Sequence, residues 1–438
     1  MKTIYQILFI CLMTAPLHAQ LYFPPTNSST WATTDPSTLG WCQPKIDSLY
    51  HFLEANSTKA FILLKDGKIV LEKYFNGHSA TNNWYWASAG KTLTSTLVGL
   101  AQQDNKLNIS DLSSKYLGSG WTSCTPTQEN KITIRHQLTM TSGLNDALAD
   151  PYCTTNTCLQ YKADAGTRWA YHNAPYTLLD KVIENATGST LNQYINQKLK
   201  TTIGMDGIFL KQDFNNVYYS TARSMARFGL LILNKGNWNG TEVIKDQKYY
   251  EEMINTSQSI NPSYGYLWWL NGKSSFMIPQ SQIQFPGSIN KSAPDDMFSA
   301  LGKNGQFLNI IPSQKMVWIR MGDNPDNALV PFLFNEDIWK YINELECHSS
   351  TENTTLNKVL DYQVFPNPAH DILQIFKIEN TEFKPITYEI IDIWGNILIS
   401  KIGDGNSCSI DISSLASGAY LAQLSNNHWT ETHRFIKI

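Results

Sequence analysis

The hydrophobic pattern changes period several times along the chain, and each change predicts an element. Ile46, Leu49, Tyr50 and Leu53 recur at the 3.6-residue spacing of an amphipathic helix over Lys45–Leu53. Two apolar runs follow, Ala60–Leu64 and Ile69–Phe75, joined through Asp66-Gly67. That dipeptide tolerates positive φ, so the pair predicts a β-hairpin. Leu93, Leu97 and Ala101, with Val98 beside them, define the buried face of a helix opening at Ser88. Helical spacing returns over Ala174–Ala186, stopped near Gly188, and over Met225–Leu233, ending at Lys235-Gly236. After an aromatic stretch from Tyr264 to Trp269, strand-like runs occupy Met297–Ala300, Gln306–Ile311 and Met316–Met321. A last helix is predicted over about Pro331–Leu345. Strands, a helical insert and more strands, with helices at both ends, predict an α+β domain on a mainly antiparallel sheet.

The two ends read differently. Lys2 gives a positive start, Ile7–Leu17 is mostly apolar, and Ala19 is small, so residues 1–19 read as a signal peptide. Its apolar run is too short to span a bilayer, and no later stretch is longer, so no transmembrane segment is expected in the mature chain. The main domain is expected over residues 20–346. Beyond it, a stretch rich in Ser, Thr and Asn predicts a linker over 347–357. Residues 358–438 carry short runs at Ile372–Ile378, Thr387–Ile393, Asn396–Ile402, Cys408–Ile412, Tyr420–Leu424 and Arg434–Ile438. Turns such as Gly395-Asn396 and Ser417-Gly418 separate them, the pattern of a small β-sandwich.

Composition narrows the partners. Lysine plus arginine (34) nearly balances aspartate plus glutamate (37), which gives no reason to expect nucleic acid or an acidic membrane. An exported chain meets an oxidising compartment, so its six remaining cysteines suggest bridges. Cys153 and Cys158 bracket a short polar loop and are expected to pair, while the pairing of Cys42, Cys124, Cys347 and Cys408 stays open. No Cys/His spacing resembles a zinc site, so neither a metal nor a cofactor is expected.

The chemistry concentrates in Ser88-Ala89-Gly90-Lys91. A serine is a poor nucleophile until something takes its proton, and a desolvated lysine one helical turn away is such a base. Ser88 is also expected to cap the first turn of its helix, whose exposed amides would hold a developing oxyanion. The four-residue pattern alone decides little, because Ser288-Ile289-Asn290-Lys291 repeats it outside any helical pattern.

Further motifs give it context. Ile134-Arg135-His136-Gln137-Leu138-Thr139-Met140-Thr141-Ser142-Gly143-Leu144 precedes Tyr171-His172-Asn173, which runs on into Tyr176-Thr177-Leu178-Leu179. Lys303-Asn304-Gly305-Gln306-Phe307 opens a strand. In this order residues 40–346 resemble the serine β-lactamase and penicillin-binding-protein superfamily, in its class C-like branch of β-lactamases, peptidases and esterases. The resemblance implies a β-lactamase/transpeptidase-like antiparallel sheet flanked by helices, with a helical subdomain. It implies Ser88 as nucleophile, Lys91 as base with its pKa lowered by burial and by Lys303, and Tyr171, as phenol or phenolate, as proton relay. Asn173 would orient Lys91 and the substrate amide, and Lys303 would lower the Tyr171 pKa and meet a substrate carboxylate. The amides of Ser88 and Gln306 would form the oxyanion hole, with Asn304 and Gly305 beside the substrate. His172 is a spacer in this pattern.

The tail resembles a second family, the sorting domain of type-nine secretion, through Val364-Phe365-Pro366-Asn367-Pro368, Asp392-Ile393-Trp394-Gly395-Asn396 and Leu415-Ala416-Ser417-Gly418-Ala419-Tyr420. It implies the outer-membrane secretion machinery as a partner and a secreted or cell-surface location. The two resemblances together imply an exported serine acyl hydrolase acting on small esters, amides or peptides, with true β-lactams second. The alternative is a surface protein on the same scaffold that binds peptidoglycan-like ligands without turnover.

Overall fold

The computed structural model describes residues 21–323, 325, 330–347, 362–377, 385–392, 395–426 and 430–438. The expected signal peptide and residues 348–357 of the expected linker lie outside the described residues. The chain divides into two compact units, residues 1–347 and 348–438.

In the first unit, helix α1 (Gln43–Ala55) leads into strands β1 (Thr58–Lys65) and β2 (Lys68–Tyr74). Asp66 (φ 51°) and Gly67 (φ 81°) both take the positive φ that a tight two-residue hairpin demands. Next come β3 (Trp84–Tyr85), α2 (Lys91–Gln103), α3 (Ile134–Leu138) and α4 (Asn173–Thr187). Strands β4 (Ile208–Gln212) and β5 (Asn215–Ser220) precede α5 (Ala222–Leu233). The unit closes with β6 (Trp269–Leu270), β7 (Phe298–Gly302), β8 (Gln306–Ile311), β9 (Met316–Gly322) and α6 (Phe332–Asn343). The main sheet has the order β2-β1-β9-β8-β7-β6, with every neighbouring pair antiparallel.

Strand alternation assigns the helices to opposite faces. Gly229 of α5 approaches Leu308 and Val317 so closely that an added Cβ would lie 2.6 Å from each. Their neighbours in sequence point the other way: Phe307 meets Phe334, and Trp318 meets Trp339, both on α6. The sheet is therefore buried on both sides, which explains why β8 and β9 read as continuous apolar runs rather than alternating ones. Arg320 lies inside this sheet and is satisfied by the carbonyls of Asn304, Gly305, Asn56 and Asp323 and by the Thr58 hydroxyl. One buried guanidinium thus ties the β7–β8 turn to the start of β1.

Two disulfides form. Cys153 pairs with Cys158, and Cys42, beside α1, pairs with Cys347, beyond α6. Cys124 and Cys408 remain thiols, so the even cysteine number does not mean that all six are bridged. The Cys42–Cys347 link spans 305 residues, and a cross-link of such separation restricts the unfolded chain strongly. Replacing both cysteines by serine is expected to cost about 2–5 kcal/mol. Calorimetry would register this as a lower melting temperature, and an unchanged melt would refute it.

The second unit stands on two antiparallel sheets. Strands β10 (Tyr362–Phe365), β11 (Ile372–Lys377) and β14 (Ser407–Asp411) form one; β12 (Ile386–Ile391), β13 (Ile397–Gly403), β15 (Gly418–Ser425) and β16 (Thr430–Lys437) form the other. Leu373, Ile375 and Ile410 from the first meet Tyr388, Ile390, Leu424 and Phe435 from the second in one core, a β-sandwich.

Candidate active site

The site begins at a short turn, Ala87–Gly90, that runs directly into α2. Trp86 fixes the approach: its amide donates to Tyr218 O (2.8 Å) and its indole to Ser220 Oγ (2.8 Å). Ala87 is held at φ 47°, a left-handed conformation costing on the order of 1–2 kcal/mol for a non-glycine residue. Ser88 follows, half-buried. Its side chain makes no cap on the helix, contrary to expectation, because α2 starts at Lys91 with Gly90 at its N-cap and Ser88 lies inside the preceding turn. Lys91 Nζ lies 2.9 Å from Ser88 Oγ, donating when protonated and placed to take the hydroxyl proton when neutral.

Lys91 is the first residue of α2 and only 3% exposed. Its ammonium nitrogen stands 4.2 Å from the ring centre of Tyr176 and 5.0 Å from that of Tyr171. Burial pushes its pKa down to about 7, with Asp180 pulling the other way. The cause is burial; Lys303, an exposed residue, has no part in it. A lysine that is neutral for much of its time at physiological pH can act as a base.

Tyr171 ends the loop before α4. Its ring stacks on Trp269 (5.6 Å, 21°) and meets Tyr264 edge-on (6.3 Å), so its orientation is fixed by packing. Burial raises its pKa well above the ordinary tyrosine range, against a hydrogen bond with Ser88 that lowers it. At neutral pH it is a phenol, not a phenolate, and the expected lowering by Lys303 is absent. His172 is buried, and burial lowers its pKa to about 4, so it is a neutral spacer facing Asp146 and Arg168. Asn173 opens α4 with a buried, unpartnered Oδ1; the expected contact with Lys91 is not made.

The third expected motif is displaced. Gly302, not Gly305, presses on the serine turn: a Cβ there would lie 2.6 Å from Trp86 O and 2.9 Å from Ala89 N. Strand β6 pairs only with Phe298 and Ser299, which leaves Ala300–Gly302, though buried, without a β6 partner at that place. Gly305 (φ 72°) instead backs onto Arg320, where a Cβ would lie 2.7 Å from a guanidinium nitrogen. Asn304 (φ 63°) donates its amide to the Tyr85 hydroxyl at 2.6 Å, so that amide is already engaged. Gln306 is fully buried and exchanges two hydrogen bonds with the Gly322 backbone, locking β8 to β9. Lys303 is an exposed turn residue.

Two residues of the neighbourhood had no role in the sequence reading, although Tyr176 stood in the context of its second motif. Tyr176 lies under Lys91, and Asp180, 4% exposed, acts on it electrostatically. Their signal was present, since Tyr176, Leu179, Asp180 and Ile183 share one stripe of α4 and a carboxylate on a buried stripe is unusual. Among the described residues no His/Cys/Asp/Glu cluster could hold a metal, and no helix is long and apolar enough to cross a membrane.

Fold and site together describe a two-faced antiparallel sheet with a serine–lysine pair at the head of a buried helix. The chain belongs to the β-lactamase family, whose profile matches residues 54–327. A secretion-system C-terminal sorting domain matches residues 363–438, and it places the protein among exported chains, secreted or held at the cell surface. Solved structures with the same fold include a Bacillus anthracis protein provisionally assigned as a 6-aminohexanoate-dimer hydrolase (TM-score 0.56, 19% identity, covering 75% of this chain and 92% of that one). A penicillin-binding-protein homologue from Caulobacter crescentus aligns with TM-score 0.54 at 12% identity, covering 70% of this chain and 98% of its own. A family VIII carboxylesterase aligns with TM-score 0.50 at 16% identity, covering 70% and 99%. Among curated proteins none matches the chain significantly.

Proposed function

We propose that the protein is an exported serine acyl hydrolase working through an acyl-enzyme on Ser88. The observation that carries this reading is a buried Lys91 amine 2.9 Å from the Ser88 hydroxyl, with its pKa brought near neutrality. Ser88 Oγ bonds to the acyl carbon while its proton passes to Lys91. The carbonyl oxygen becomes an oxyanion, for which the Ser88 amide is one donor. The second donor is the Lys303 amide in preference to Gln306, because Lys303 directly follows the glycine that abuts the serine turn. The Tyr171 phenol hands its proton to the leaving group as that group departs and recovers one from Lys91. Water then attacks the acyl carbon along the same path, returning Ser88. The unpartnered Asn173 Oδ1 is an acceptor suited to a substrate amide N–H.

The substrates proposed are uncharged short-chain esters or small amides and peptides, rather than penicillins. Next to the serine turn the strand carries Ala300, Leu301 and Gly302 and offers no cationic side chain to a substrate carboxylate. The Asn304 amide, standing where a hydroxyl donor is expected, is held by Tyr85. Losing a partner for a charged group typically costs on the order of 1–3 kcal/mol, or roughly 5- to 150-fold. Turnover of a p-nitrophenyl ester is therefore expected to exceed that of a chromogenic cephalosporin by at least about tenfold in kcat/KM. A cephalosporin value above about 10⁵ M⁻¹s⁻¹ would place the lactamase reading first.

A further inference from the structure

One buried charge in the unit is unexplained by packing. Asp180 lies on the apolar stripe of α4, where an isolated carboxylate is costly. Its only hydrogen-bond partners among the described residues are neutral: Thr94 Oγ1 donates to Oδ1 (3.2 Å) and Asn216 Nδ2 donates to Oδ2 (3.0 Å). Among the described residues no arginine or lysine forms an ion pair with it. The geometry instead ties it to the helix that carries Lys91 and places it one turn along α4 from the tyrosine packed on Lys91. Thr94 stands three residues beyond Lys91 on the same face of α2, and Tyr176, one turn before Asp180, has its ring 4.2 Å from Lys91 Nζ.

We propose that Asp180 is a positioning residue whose buried carboxylate favours the ammonium that Lys91 becomes on taking the Ser88 proton. It does for a serine–lysine pair what a buried aspartate does behind a catalytic histidine: it touches no substrate and acts through the base. The proposal rests on the acyl-transfer reading above. Proton balance is unchanged by it: the proton leaves Ser88 Oγ, resides on Lys91 Nζ, and Asp180 neither gains nor loses one in the step.

The groups acting on the carboxyl are few. From α2 comes Lys91, from its own helix Glu184, and from β5 only the neutral Asn216. Burial raises the carboxyl pKa to about 7, with Asn216, Thr94 and Lys91 opposing, so Asp180 is a carboxylate above neutral pH, the same range in which Lys91 is neutral and able to act as a base. Tyr176 and Tyr171, the aromatic neighbours of Lys91, are both held protonated by burial. Removing the carboxylate thus leaves Lys91 facing phenols alone, and its pKa falls.

The test is Asp180→Asn, which keeps the size; the amide oxygen still accepts from Asn216, and the amide nitrogen donates to the Thr94 hydroxyl, which reverses its bond. The pH dependence of kcat/KM for a p-nitrophenyl ester should show an acid limb reporting Lys91, and the variant should move it down by roughly one pH unit. The plateau rate should fall at least about tenfold with KM little changed. An unmoved limb in a folded variant would overturn the proposal, even with activity reduced, because a merely structural role predicts that result. A second measurement needs neither turnover nor the variant. In wild-type protein labelled with ¹⁵N-lysine and ¹³C-aspartate, the Asp180 carboxyl signal should respond as Lys91 Nζ loses its proton; two independent titrations would refute the link. Absence of ester turnover in wild type, with the two titrations coupled, would instead sink the hydrolase reading and the catalytic role with it, while the electrostatic link between Asp180 and Lys91 would remain.

Discussion

Lys91→Met should make the protein more stable and nearly inactive at once. The lysine is wholly buried, and its folded pKa lies near 7 against an ordinary value of 10.5. The unfolded chain therefore holds that proton more tightly than the folded one between pH 7 and 10.5, so stability rises with pH across this window. Below pH 7 both forms are protonated and the full penalty of a buried ammonium applies. A methionine of similar length removes that penalty, giving a gain on the order of 4 kcal/mol at pH 7 that shrinks toward pH 10. Acyl transfer should fall by about 10²–10⁴, the usual contribution of a positioned base. Denaturant unfolding at pH 7 and 9.5, with ester turnover in parallel, checks both halves. A loss of stability at pH 7 would mean that the lysine is structural.

The second large effect separates two adjacent residues. Gly302→Ala places a carbon within 3 Å of both the Trp86 carbonyl and the Ala89 amide, so the strand must retreat from the serine turn. An oxyanion donor displaced by even part of an ångström loses most of its value, and kcat/KM should drop by at least about 100-fold. Lys303→Ala changes only an exposed side chain and keeps the backbone amide, so activity should stay within about threefold. The family pattern read from sequence makes the opposite forecast, with Lys303 essential. Steady-state kinetics on the two variants decides between them, and a 100-fold loss in Lys303→Ala would restore the sequence-based register.

That disagreement marks where sequence reading stopped. The hairpin at Asp66-Gly67 and the long helices were legible from their turn residues and period, and five of the six strands of the main sheet from apolar runs between turns; β6, two residues inside an aromatic stretch, was not. The proximity of Ser88 and Lys91 was legible too, since three residues on a helix fix a distance. The third motif was not. Lys303-Asn304-Gly305 offered the expected polar letters, whereas Ala300-Leu301-Gly302 offered none, and only the close approach of Gly302 to the serine turn distinguishes them. Such an approach joins segments more than two hundred residues apart, which no local pattern encodes. Similarly, the Cys42–Cys347 bridge depends on α1 and α6 packing together, a tertiary fact. The single-residue spacing of α4 did hold the clue to Asp180, as a charge on a buried stripe.

The central claim is that Ser88 is a nucleophile, and covalent labelling tests it most directly. Wild-type protein treated with a fluorophosphonate probe should gain one adduct by intact mass, mapping to the peptide that contains Ser88. Folded Ser88→Ala protein should gain none, because its nucleophile is gone while Lys91 and Tyr171 remain. Undiminished labelling of that variant, or an unlabelled wild type that still turns over esters, would contradict the account.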